Sequence, residues 1–281
     1  MKLFRNKILF LPALVFLALP FYGFMTAIVQ SLGNEEPLSH YWDLLDSDRF
    51  LASIAFSIRT AGIATILSIA IGLLLIRSFY KILVQLSPRL RVWIPMLFPH
   101  FVWGYMVILL LGESGIFSQI AVVSGWMESQ ADFPIWTRDR YGIGIIITYV
   151  WKEVPLVILL LLPVYSSIRP EYYALVDTLG GNGWNRFTTV ELPHLLPVLV
   201  ESFLIIFSFS LAAYEVPALI GTTFPEMISV LGYEWFYGSS WDDRPLSFAS
   251  MVSISIFLLI LTIICYAFLN RTRLKAMRGS K

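Results

Sequence analysis

Charged side chains are costly in apolar stretches and are functional candidates there by default. Arg59, Lys152, Glu153, Glu201 and Glu215 each interrupt a run otherwise built from Leu, Ile, Val, Phe and Ala. Three kinds of chemistry could use them. Lys152, Glu153 or Glu215 could bind and release a proton or sodium ion in an ion-coupled carrier. Glu153 or His100 could act as acid or base in an intramembrane enzyme. The charges could instead line a solute path or fix how helices pack. Catalysis has the least support, because no paired carboxylates or nucleophile–base arrangement accompanies them. His100, between Pro99 and Phe101, reads as a satisfied polar group, and His194, beside Pro193, as a loop-end contact. Three histidines and the single Cys265 make neither a metal site nor a disulfide framework. No Gly-Lys-Ser or Gly-Lys-Thr occurs, which excludes a P-loop. No cofactor and no catalytic residue is expected.

Spacing assigns these charges different surroundings. Lys152 and Glu153 are neighbours, and adjacent residues on a helix do not face each other. They are expected to have separate partners, on other helices or on a second chain. Pro155 is expected to bend their helix. Arg59 reads as reaching outward along its own aliphatic stem. Glu201 falls near the start of its run and Glu215 near the end.

The stretches that carry these residues fix the class of protein. Of the 281 residues, 57% are hydrophobic and only 14% charged, against roughly 25% charged in a soluble domain. A membrane-spanning helix needs about 20 mostly apolar residues. Six such spans are read at about 8–30, 51–76, 92–111, 142–165, 195–221 and 246–269. The first is expected to remain as a span, being long for a signal peptide and lacking a cleavage box. The chain is therefore expected to be an all-α polytopic membrane protein. Its parts would be a first helix with its flanks over 1–50, a five-helix core over 51–270, and a basic tail over 271–281. No basic or acidic tract suggests nucleic-acid binding.

Basic residues are retained on the cytoplasmic side of a membrane. Lys2, Arg5 and Lys7, then Arg77, Lys81, Arg89 and Arg91, then Arg169 and Arg186, and finally Arg271, Arg273, Lys275, Arg278 and Lys281 fall on one side of the six spans. Only Arg49, Arg138, Arg140 and Arg244 fall in the loops of the other side, where Glu35, Glu36, Asp43, Asp46 and Asp48 collect. Both termini are expected to be cytoplasmic. Trp136, Tyr141, Tyr233, Trp235 and Trp241 suit the headgroup level. Residues 116–123 are too short to span and are expected to lie in the interface.

The inner loop at about 166–194, between the fourth and fifth spans, contains DTLGGNGWNRFTTVELPHLLP over 177–197. Physically it reads as helix, break, helix. Pro170 suits a first helical turn, and Glu171 to Leu179 has helical composition. Gly180, Gly181, Asn182 and Gly183 can end that helix and turn the chain. A second short helix over Trp184–Leu192 would present Trp184 and Phe187. Leu192, Pro193 and Pro197 would form a rigid lead into the fifth span.

Thr178-Leu179-Gly180, Phe187 seven residues on, then Leu192-Pro193 and Pro197 resemble the signature loop of binding-protein-dependent ABC importer permeases. Trp151-Lys152-x-x-Pro155, Gly112-x-x-Gly115 and Val216-Pro217-Ala218-Leu219-Ile220-Gly221 extend the resemblance over roughly 50–270. It implies a MetI-like helical bundle whose loop forms a coupling helix that docks onto a separate ATPase subunit. It also implies a second permease subunit, identical or a sister chain, and an extracytoplasmic solute-binding protein, all assembled in a bacterial-type inner membrane. ATP hydrolysis would then belong to the partner. Permeases of the polyamine, ferric-iron and sulfate type look most similar, with a lean to polyamine-like solutes. The sequence departs from the family where Glu-Ala-Ala is usual, since Ala174, Leu175 and Val176 stand there. Glu171 and Asp177 are the acids that could replace the missing carboxylate.

Overall fold

The computed structural model describes residues 11–33, 36–238 and 240–278, with the backbone alone for Leu11 and 271–278. Lys2, Arg5, Lys7, Glu35 and Lys281, used above for orientation, lie outside the described residues. So do the side chains of Arg271, Arg273, Lys275 and Arg278. Among the described residues every regular element is helical. The helices are α1 (Leu11–Ser31), α2 (Ser39–Asp46), α3 (Asp48–Leu83), α4 (Leu86–Trp93), α5 (His100–Leu111), α6 (Ile116–Val123) and α7 (Ile143–Ser167). They continue with α8 (Pro170–Thr178), α9 (Gly183–Arg186), α10 (Leu192–Ala212), α11 (Glu215–Ile220), α12 (Ile228–Tyr237) and α13 (Arg244–Arg278). Six stretches of the described residues are long and apolar enough to cross a membrane: Pro12–Ser31, Asp48–Leu83, His100–Val123, Ile143–Ser167, Gly183–Ala212 and Trp241–Asn270. Each overlaps one of the six expected spans, and the protein is an all-α polytopic membrane protein.

Several expected boundaries shift, among them the end of the second span, now Leu83, the end of the third, now Val123, and the start of the fifth, now Gly183; proline explains two others. The third span begins at His100, not near 92. Residues 94–97 form a tight 3₁₀ turn after α4, and Phe98 is extended at ψ 139. A residue before proline is pushed out of the helical region, and Pro99 follows Phe98. The fifth span ends at Ala212, not near 221. In a continuous helix the Pro217 ring would strike the carbonyl of Ala213 and leave it without a donor. Ala213 is extended instead, at ψ 133. Its carbonyl accepts a hydrogen bond from the Ser229 hydroxyl at 2.8 Å. Residues 215–220 become the separate helix α11. Glu215 therefore opens a short helix rather than closing a long one.

The chain divides into two compact units, Met1–Ala52 with Val230–Leu261, and Ser53–Ser229 with Thr262–Lys281. Within the first, Arg49 makes a two-pronged ion pair with Glu234 at 3.2 and 2.6 Å, and Phe50 stacks on Trp235. The Ser247 hydroxyl donates to the Gly232 carbonyl at 2.7 Å. The second unit holds the loop and all the intraspan charges. Its core joins α3, α7 and α10 through Ile76, Val157, Ile158, Leu161, Leu195 and Ile206.

Lipid is as apolar as leucine, so membrane helices associate through close packing rather than a hydrophobic drive. Helix α3 meets that demand with small residues. Ser53, Ser57, Thr60, Ala61, Ala64, Thr65 and Ser68 are all fully buried, and their three- and four-residue spacing puts them on one face. The hydroxyls of Ser57, Thr65 and Ser68 donate to the carbonyl one turn back at 2.7 Å, which satisfies them inside the packed face. The face continues to Gly72, where an added Cβ would stand 2.5 Å from Val157 Cγ1. Gly62, on the same helix, has nothing within 4 Å of such an atom. Gly72→Ala should lower the melting temperature of the detergent-purified protein, at a cost of about 1–3 kcal/mol. Gly62→Ala should leave it unchanged or raise it. Equal behaviour of the two variants in scanning fluorimetry would contradict this packing.

Candidate functional site

Helix α8 starts with Pro170 at its first position and ends in a Schellman motif. The Gly180 amide donates to the Asp177 carbonyl and the Gly181 amide to the Val176 carbonyl, both at 2.9 Å. Gly180 takes φ +75, the left-handed conformation that side chains resist. At Gly181 the constraint is space, because an added Cβ would lie 2.5 Å from Val176 Cγ1. Asn182 then caps the second arm, accepting from the amides of Trp184 and Asn185, while Asn185 answers to the Asn182 amide, each at 3.0 Å. This reciprocal box starts a new helix at once. The helix–break–helix reading of 170–192 matches the structure here.

The second arm differs from the expected separate short helix. Helix α9 runs through a wide π turn, Phe187–Glu191, directly into α10. Within the turn the Leu192 amide donates to the Phe187 carbonyl, five residues back. The next residue, Pro193, has no amide, and its ring crowds the carbonyl four residues earlier. Widening the turn by one residue relieves that conflict without ending the helix. Leu192 and Pro193 are thus an internal joint of one rod reaching from Gly183 to Ala212.

The loop's acids have distinct partners. Asp177 holds Arg186 through two hydrogen bonds, at 2.7 and 2.6 Å, and so clamps one arm to the other. Glu171 pairs with Arg169 at 3.3 Å, with both side chains about two-thirds exposed. A third acid, Glu191, was not singled out in the sequence. It is buried and accepts from Arg77 Nε at 2.6 Å. The Arg77 guanidinium also lies 4.5 Å over the Phe187 ring. Tyr165 reaches both Glu191 and Tyr173. Burial and the nearby Glu191 carboxylate push the Tyr173 hydroxyl up from its ordinary pKa, which keeps it a proton donor.

The aromatic pair divides. Trp184 is 67% exposed, while Phe187 is half-buried beneath Arg77. The expectation that both face outward therefore holds for Trp184 alone. The outward apolar surface is completed by Leu175 and Leu179. Between the arms runs a groove of about 510 Å³ lined by Tyr172, Leu175, Val176, Leu179, Val190 and His194. His194 Nδ1 meets the Val190 carbonyl at 2.7 Å, a loop-end contact as expected.

The intraspan charges also separate. Lys152 is buried, and its ammonium donates to the carbonyls of Pro95 and Met96 at 2.9 and 3.1 Å, and to that of Phe98. The Pro95 carbonyl also accepts from Trp103 Nε1 at 3.0 Å, so two side chains hold the turn before α5. Glu153 is buried against His100 Nε2 at 3.1 Å, and the His100 ring packs on Phe209 at 4.6 Å. Both partners lie within this chain. Arg59 donates to the carbonyls of Arg140 and Tyr141 at 3.2 and 3.3 Å. Glu201 and Glu215 are exposed. Helix α7 itself is held at its start by Asp139, which accepts from the amides of Tyr141 and Ile143. No group among the described residues has the three His, Cys, Asp or Glu side chains needed to hold a metal ion.

A loop of this form, joined without a break to a spanning helix, invites comparison with known membrane proteins. Residues 89–274 match the family described as binding-protein-dependent transport system inner membrane component. The chain belongs to that family. It is 25% identical over 192 residues to the sulfate transport system permease protein CysT of Escherichia coli strain K12, covering 68% of this chain and 65% of that protein. It is 30% identical over 177 residues to the ferric transport system permease protein FbpB of Actinobacillus pleuropneumoniae, covering 62% and 23%. To the thiamine transport system permease protein ThiP of Haemophilus influenzae it is 30% identical over 208 residues, covering 72% and 36%. The match therefore spans from under a quarter to about two thirds of these relatives' lengths. A chain from the crystal structure of a bacterial ABC transporter involved in the import of the acidic polysaccharide alginate shares the fold. Its TM-score is 0.78 at 16% identity, over 96% of this chain and 99% of that one. A chain of a bacterial alginate ABC transporter in complex with an alginate pentasaccharide-bound periplasmic protein gives 0.67 at 18% identity, over 94% and 91%.

The glycines offer a direct check on the loop. Gly180→Ala strains the left-handed turn and Gly181→Ala drives the arms apart, whereas at Gly183 an added Cβ meets nothing within 4 Å. Limited proteolysis should cut the first two variants within the loop several-fold faster than wild type, from a local cost of about 1–2 kcal/mol. Gly183→Ala should be cut at close to the wild-type rate. Uniform rates across the three would contradict the assigned geometry.

Proposed function

We propose that this chain is the membrane-spanning permease subunit of an ATP-driven, binding-protein-dependent ABC importer. The observation that carries the reading is the exposed apolar surface formed by Leu175 and Leu179 on the first arm and Trp184 on the second, which runs on into a spanning helix. Exposed leucine and tryptophan side chains at a loop tip are unfavourable in water and suit a protein partner. Membership of the family supports a separate ATPase subunit on the cytoplasmic side as that partner. The basic residues at 77–91 and 169–186 support placing the loop and both termini there. A second permease subunit would complete the path, and an outer binding protein would deliver the solute.

Arg59, Lys152 and Glu153 act in helix packing in this account, since each is occupied by groups of its own chain. Glu201 and Glu215, which are exposed, are the charges left to face the path or the second permease. An ion-coupled carrier built on Lys152 or Glu153 would have to break these contacts in every cycle. The three relatives described above carry sulfate, ferric and thiamine in their names, and the Val216–Gly221 stretch does not choose polyamine over these.

Trp184→Ala and Leu179→Ala remove exposed side chains that support little of the chain's own fold. A buried interface tryptophan is commonly worth 2 kcal/mol or more. Affinity of the purified permease complex for its ATPase subunit should therefore fall about 30-fold with Trp184→Ala, with melting temperature unchanged. ATP-dependent uptake in proteoliposomes should fall with it. Uptake driven by a proton or sodium gradient and indifferent to ATP depletion would reject the importer in favour of an ion-coupled carrier.

A further inference from the structure

We propose that Arg77 and Glu191 form a latch that locks the π turn of the loop to the end of α3, so that movement of the loop reaches the spanning helices instead of being absorbed in the turn. The inference rests on the importer reading above. The two residues are 114 positions apart, yet Arg77 Nε meets Glu191 Oε2 at 2.6 Å. The Glu191 side chain is 7% exposed and that of Arg77 32%. A carboxylate this deeply buried is strongly destabilising without its counter-charge, so the two remain together whenever either moves.

What Arg77 holds is specific. Phe187 is the first residue of the π turn and Glu191 the last. One guanidinium stacks on the first and hydrogen-bonds to the second, spanning the place where the rod is widest and most easily bent. Arginine suits this double task because its planar group can stack on a ring face while its edge binds a carboxylate. Tyr165, at the end of α7, and Tyr173, on α8, add a third and fourth element to the cluster through Glu191. The ring of Tyr80, just beyond a kink at Phe79 in α3, packs on that of Tyr165 at 5.0 Å. Four segments thus converge on one buried acid. A cavity of about 720 Å³, lined by Arg77, Tyr80, Lys81, Tyr165, Ile168 and Tyr173, borders the latch. Shortening Arg77 would enlarge that space rather than empty the packed core.

A purely structural pair would behave differently from a latch when both charges are removed. The double variant Arg77→Gln/Glu191→Gln leaves no uncompensated charge, so folding is preserved. With Cys265→Ser and a reporter Ala212→Cys at the end of α10, the complex with its ATPase subunits is reconstituted. The labelling rate of the reporter by a membrane-impermeant maleimide is measured with and without a non-hydrolysable ATP analogue. The unlatched complex should bind the analogue and retain its ATPase subunits as the latched one does. Its nucleotide-dependent change in labelling rate should nevertheless shrink by about 5-fold or more. Arg77→Lys, which keeps the charge but loses the stack, should fall between. A double variant with the full nucleotide response would overturn the latch, as would one that fails only because its ATPase subunits dissociate. A latched complex with no nucleotide response would instead strike the importer reading itself.

Discussion

In hydrocarbon every backbone carbonyl must find a donor within the protein, and prolines remove donors. Where this chain places its prolines therefore decides where its helices bend, widen or end. Pro217 ends the fifth span, because the Ala213 carbonyl finds a donor in Ser229 rather than in the helix. Pro95 and Pro99 delay the third span, and Lys152 donates to the carbonyls of Pro95, Met96 and Phe98 between them. Pro193 does neither. The turn before it widens to a π turn, and the helix continues from the loop into the membrane. The loop's mechanical connection follows from that local solution.

Charge then acts on this framework at two depths. Deep in the second unit, Lys152 and Glu153 are each neutralised or capped within the chain, and they tie α7 to the start of α5. At the loop, Asp177 clamps the two arms while Glu191 secures the joint to α3. Trp184 and Leu179 remain outside, exposed to whatever binds there. The arrangement separates an exposed apolar surface from the buried contacts that hold the loop together. This chain lacks the glutamate that the family pattern has before Gly180, and its loop acids have other places. Asp177 serves the loop's own closure, Glu171 stays at the surface, and the buried acid lies eleven residues after Gly180.

The six spans were legible because about 20 apolar residues in a row have few other uses. The arms of the loop were legible because Pro170, the glycines and Asn182 act on neighbours close in sequence. The break at Ala213 was missed although Pro217 marks it, since Pro155, Pro163 and Pro197 stay inside their helices and the donor that permits this break, Ser229, lies sixteen residues away. The role of Phe187 was not legible either, since its aromatic ring reads the same from sequence whether it faces water or a guanidinium. Arg77 looked like one basic residue among several that set orientation, and its partner lies beyond any helical spacing. Lys152 binds main-chain carbonyls, which carry no side-chain signature at all.

The central claim is that the second arm of the loop and the fifth span move as one rod. In a Cys265→Ser background, spin labels at Thr188 and Ile205 would lie about 26 Å apart along a continuous helix. Their distance distribution, measured by double electron–electron resonance in the complex with its ATPase subunits, tests the rod directly. The account predicts the same narrow distribution with and without ATP, while the distance from Thr188 to the matching loop of the second permease changes. A shift of several ångströms between Thr188 and Ile205 on ATP binding would place a hinge at the π turn and contradict it.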